Sequence, residues 1–119
     1  MLIPLLFSAE LVATVPDCGT AAHKALIQKT ESMIISRAYP RVIIEGWEDV
    51  SKACVRLEFT ISKDGIAQNV HAVNTYESMA VGRVGLEAVP MFKFKAPEPG
   101  HEKDIYTLVI WGTEITNRR

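Results

Sequence analysis

Cys18 and Cys54 are the two thiols of the chain, and their chemistry depends on whether they meet. They stand 36 positions apart (54 − 18), and a bridge closing a loop of that length would contribute about 3–4 kcal/mol in the chain-entropy model. An even cysteine count in a protein that is exported favours the disulfide; the alternative is two separate thiols, one buried and one exposed. No Cys-x-x-Cys occurs, so a thioredoxin-type role has little support. His23, His71 and His101 fall on a helical, a strand and a loop pattern, and none has a partner at metal-ligand spacing. They read as solvated or simple hydrogen-bonding histidines. Ser8, Ser32, Ser36, Ser51, Ser62 and Ser78 lie in no Gly-x-Ser-x-Gly context. Gly82 and Gly85 do not form a phosphate loop, and Glu45, Glu48 and Asp49 read as a solvated acidic run. The expectation is a protein that is not an enzyme and needs no metal or other cofactor.

What remains is the chemistry of the backbone. Asp104–Trp111 is the strongest strand in the chain by propensity. As the last strand of a small sheet it would be an edge, offering unpaired N–H and C=O groups to an added strand. Ile105, Thr107, Val109 and Trp111 would point to one side of it, and Tyr106, Leu108 and Ile110 to the other. These seven residues are the candidate partner-binding surface. The alternatives are an edge covered by the N-terminal arm, or by a second copy of the chain in a homodimer.

The elements that position this edge are legible from periodicity. Val55, Leu57, Phe59 and Ile61 alternate with Cys54, Arg56, Glu58 and Thr60, which makes a strand with one apolar and one polar face. Asp64-Gly65 supplies a tight turn, and Ile66–Val73 returns as the partner strand. Upstream, residues 20–38 predict a helix capped by Thr20 and ended by Pro40. Downstream, Glu77–Val89 predicts a second helix, stopped by Pro90. Gly82 and Gly85 weaken it by about 1 kcal/mol each relative to alanine, which close approach to the sheet would offset. A right-handed crossover then sets the last strand parallel to the second. The fold class is therefore α+β: a three-stranded antiparallel sheet of order second-first-last (2-1-3), with two helices packed on one face.

Composition bounds the rest. At 119 residues, 48% of them hydrophobic and 23% charged, the chain supports one domain with one modest core. A net charge of −1 leaves no nucleic-acid footprint. Residues 1–13 are apolar yet too short to span a bilayer. They read either as a remnant of a signal peptide or as an arm packed on the domain, so residues 1–19 are set apart from a domain of residues 20–119.

Tyr39-Pro40, Glu45-Gly46-Trp47, the strand Val55 to Ile61, Asp64-Gly65, Asn69-Val70, Ala88 and Phe92-Lys93-Phe94 follow one another in an order and spacing that resembles the C-terminal domain of TonB-type energy transducers. The resemblance covers residues 39–112. It implies a periplasmic or secreted interaction domain whose last-strand neighbourhood pairs with a short segment of an outer-membrane receptor or another envelope component. Related TolA-type domains imply the alternative, a structural or assembly subunit that oligomerises through its sheet edge. TonB transducers also carry an N-terminal membrane helix and a long Pro-rich spacer; these 119 residues show neither pattern. The fold thus carries over more directly than force transmission.

Overall fold

Alternation of apolar and polar residues, a tight Asp-Gly turn and a β-branched return run build the centre of the molecule. The computed structural model describes residues 13–41 and 50–116. In chain order the elements are β1 (Ala13–Thr14), α1 (Lys24–Ser32), β2 (Ile34–Ser36), β3 (Cys54–Ile61), β4 (Ala67–Tyr76), α2 (Met79–Ala88), β5 (Lys93–Phe94), β6 (Tyr106–Trp111) and α3 (Gly112–Thr116). The fold is α+β.

β3 lies between β4 and β6 and is antiparallel to both. At the far side of β4, β1 adds two residues in parallel, Ala13 opposite Asn74 and Thr14 opposite Thr75. β2 and β5 form a separate antiparallel pair. That second sheet was not anticipated: β-branched Ile34 and Ile35 leave the helix and pair with the aromatic return segment. The hairpin turn is tied to it, because Phe94 N–H donates to Gly65 O at 2.9 Å. Gly65 has φ +79°, and a Cβ there would strike the Phe94 carbonyl, so this position requires glycine.

The main core is the apolar face of β3 (Val55, Leu57, Phe59, Ile61) with Leu108 and Ile110 of β6, covered by Val81, Val84 and Ala88 of α2. Ser78 caps α2, its hydroxyl accepting from Val81 N–H at 3.2 Å. Gly85 lets the helix close on the sheet: a Cβ there would lie 2.7 Å from Val55 Cγ1. Phe59, Phe94, Phe92 and Tyr39 continue the core as a chain of ring contacts, with centroids 5.5, 6.1 and 5.6 Å apart.

The expectation of two helices on one face is corrected. Only α2 sits squarely on the main core; Ile27 of α1 belongs to a second cluster with Cys18, Cys54 and Val109, on the opposite face of the sheet. The cause is covalent. Cys18 is bonded to Cys54, which anchors the segment before α1 to the polar face of β3. α1 then runs beside β6, and the chain reaches the main core through Met33, Ile34 and Tyr39. The helix is also shorter than predicted. Residues 16–23 are turns organised by Asp17, whose carboxylate accepts from Gly19 N–H at 2.9 Å and Ala21 N–H at 3.2 Å. Glu45-Gly46-Trp47 and the break expected at Gly46 lie outside the described residues.

Candidate functional site

A disulfide, two sheet edges and one cleft carry the chemistry of this molecule. Cys18 and Cys54 are bridged, both fully buried, with 6.3 Å between their Cα atoms. The bridge roofs a polar network on the same face. Arg56, its side chain 7% exposed, donates from Nε to Asn74 Oδ1 at 2.9 Å. Its Nη1 donates to Thr107 Oγ1 at 2.9 Å and to Glu58 Oε2 at 3.2 Å. Thr107 Oγ1 in turn donates to Leu57 O at 2.8 Å. A buried guanidinium is tolerable only with such partners. The signal for this network was present in the sequence: alternation puts Arg56 on the face of Cys54, and the bridge covers that face.

Of the seven residues expected to offer an open edge, five are closed off. Tyr106, Thr107, Leu108, Val109 and Ile110 are all buried, and Ile105, 51% exposed, lies just outside the strand. Trp111 is partly buried against the second cluster. Thr107, Leu108 and Ile110 have no accessible surface at all, which a strand with a solvent-facing backbone cannot achieve. The cover is α1. Ile27 packs beside Val109, and Lys29 Nζ sits 5.7 Å from the centre of the Tyr106 ring. The polypeptide thus closes the β6 edge with its own helix, because the disulfide starts α1 beside it.

The other edge differs. Beyond the two residues paired with β1, the outer side of β4 has no strand partner among the described residues. Gln68, Asn69 and His71 are exposed there, and Val70, Ala72 and Val73 partly so. The register against β3 shifts twice, between Arg56 and Leu57 and between Glu58 and Thr60. Asn69 adopts φ +57°, a conformation asparagine tolerates well.

The cleft lies at the start of β6. It has a volume of about 370 Å³ and is lined by Lys29 of α1, Met33 just after that helix, the segment Lys95–Glu98, and His101, Asp104 and Tyr106. His101 Nδ1 is 2.9 Å from Asp104 Oδ2. Burial, and after it the charge of Asp104, hold the Tyr106 hydroxyl pKa above the usual phenol value. Sequence reasoning missed this site, since its residues come from three separate segments and no spacing links them.

Elsewhere, Glu114 of α3 gathers Arg37 at 3.1 Å, the Tyr39 hydroxyl at 2.7 Å and Trp111 N–H at 3.0 Å. It fastens the segment after β2 to the end of β6. Among the described residues, no three His, Cys, Asp or Glu side chains gather as a metal site, and no helix is long and apolar enough to cross a membrane. Comparisons with protein-family models, with curated proteins and with solved structures find no match.

Proposed function

We propose that this chain is a protein-interaction domain that holds an extended segment of a partner protein by strand addition. The observation that carries this reading is the outer edge of β4 from Gln68 to Val73, exposed at Gln68, Asn69 and His71, half-buried between and after them, and without a strand partner among the described residues. β1 already pairs in parallel with that edge at Asn74 and Thr75, so its geometry is compatible with an incoming strand. The two register shifts bend it, which works against indiscriminate edge pairing and favours a partner of matching register. The disulfide supports an oxidising compartment, in keeping with the periplasmic setting that the TonB-like resemblance implies. There the partner would be an outer-membrane receptor or another envelope protein. Capture at Ile105–Trp111 requires α1 to leave β6 first.

Amide hydrogen exchange with and without heptapeptides selected from a displayed random library tests this. New protection at alternate residues between Gln68 and Val73 is expected. Protection confined to the helices, with β4 unchanged, refutes strand addition at this edge. Light scattering decides the assembly alternative: a concentration-dependent dimer whose protection maps to β4 would make the partner a second copy of the chain.

A further inference from the structure

Tyr106 is only 2% exposed as a residue, and it lines the cleft. No side-chain oxygen or nitrogen among the described residues is both buried and unpartnered, so a Tyr106 hydroxyl without a protein partner keeps contact with solvent, and the cleft is the open space its side chain borders. Two ammonium groups share the wall. Lys29 lies over the Tyr106 ring, and Lys95 is fixed at its backbone by donating N–H to Met33 O at 2.7 Å. Neither lysine side chain has an acidic partner among the described residues. Of the two carboxylates in the lining, Asp104 is engaged by His101, and Glu98 is exposed. Met33, Ala96 and Pro97 complete the lining with apolar surface.

We propose that this cleft is a binding site for a small amphipathic monocarboxylate, either a free acid or the C-terminal residue of a peptide. One carboxylate oxygen accepts a hydrogen bond from the Tyr106 hydroxyl, which keeps its proton, and the other lies between Lys29 and Lys95, as charge-assisted hydrogen bonds require. The short apolar body rests on Met33, Ala96 and Pro97. A volume of about 370 Å³ is at the small end of ligand pockets. The charge balance also selects. Two lysines stand against two carboxylates in the lining, so it holds no surplus positive charge for a dianion such as phosphate, which Glu98 and Asp104 would repel. No arginine fork is present in the lining to compensate.

The test is a titration of the ¹⁵N-labelled full chain with hexanoate, and in parallel with hexanamide, hexylamine and inorganic phosphate. Saturable shifts at Lys29–Met33, Lys95–Glu98 and Tyr106 are expected with hexanoate, with affinity for hexanamide at least about tenfold weaker. Tyr106→Phe keeps the ring in place and should leave the thermal midpoint almost unchanged while weakening hexanoate several-fold. Lys29→Gln and Lys95→Gln should each do the same. N-acetyl-Gly-Leu with a free C-terminus separates the two sources: tighter binding than hexanoate identifies a chain end, weaker binding a free acid. The proposal is overturned by non-saturable shifts, by equal binding of hexanamide, by tighter binding of hexylamine or phosphate, or by an unchanged affinity in Tyr106→Phe. None of these outcomes bears on strand addition at β4, which is read at different residues.

Discussion

Replacing both bridged cysteines, Cys18→Ala with Cys54→Ala, tests what holds α1 against β6. The bridge closes a loop of 36 positions, and the chain-entropy relation converts that to about 3.8 kcal/mol at 25 °C. Both cysteines are fully buried beside Ile27 and Val109, so losing the sulfurs leaves a small void costing about 1 kcal/mol more. The sum, about 5 kcal/mol, compares with a total stability of about 5–15 kcal/mol for a domain. The variant should therefore be marginal. Urea titration followed by circular dichroism should show a lower midpoint and a steeper slope, because the uncrosslinked chain exposes more surface on unfolding. Hydrogen exchange should show where the loss begins: the Val15–Gly19 turn, α1 and Tyr106–Ile110 should lose protection ahead of the β3–β4 hairpin. A loss below about 1 kcal/mol with unchanged slope would refute the loop-closure argument. An even loss of protection over every strand would refute the local role in covering β6.

Three further outcomes follow from the packing. Phe59→Ala empties a fully buried site against Phe94 and should cost about 3–5 kcal/mol in urea unfolding; an unchanged midpoint would contradict the face assignment. Gly85→Ala gains about 1 kcal/mol of helix propensity but drives a Cβ to 2.7 Å from Val55 Cγ1, an overpacking cost of about 1–3 kcal/mol. It should therefore be neutral to destabilising, whereas at Gly82 the nearest atom is Thr75 Cγ2 at 3.3 Å and alanine should be tolerated or mildly stabilising in thermal melts. The Gly19 N–H, then the Ala21 N–H, hold the Asp17 carboxyl below its ordinary value of 3.8. Its contribution is thus present above pH 3.8 and lost as pH falls through the lower folded-state value. Asp17→Asn should be less stable than wild type at pH 5–7, the two converging in strong acid; a gap that stays constant from pH 7 down into strong acid would show the charge is irrelevant.

Local signals made the hairpin, α2 and the last strand readable, because each is specified by neighbours in sequence. Alternation set the faces of Cys54–Ile61, Asp64-Gly65 set the turn, and two small residues marked the close approach of α2. The bridge was readable as one of two options from cysteine count alone. What stayed hidden was long-range. The apolar stripe of residues 20–38 is compatible with a helix on either face, and nothing local tells that the Cys18 bond starts it beside β6. Ile34 and Ile35 extended the stripe, yet their β-branched side chains serve a strand whose partner stands almost sixty positions later, at Lys93–Phe94. The cleft was invisible for the same reason: Lys29, Lys95 and Tyr106 become neighbours only after α1 and β6 pack.

The two edges of the sheet are managed by different physical devices, and that difference sets what each can do. A helix laid along β6 removes its backbone from solvent, and uncovering it means giving up the contacts of Ile27, Thr30 and Lys29 together. The disulfide keeps the start of the covering segment tied to β3. The β4 edge has no cover among the described residues beyond two residues of β1; it is restrained by shape instead, through two register shifts and a left-handed Asn69. Shape restraint discriminates among partners without excluding them, because a strand of compatible register gains the full set of main-chain bonds while a flat one does not. A recognition surface therefore belongs more naturally at Gln68–Val73 than at Tyr106–Ile110. On β6 the proposed role falls instead to one side chain, Tyr106, which lines the cleft together with Lys29 of α1.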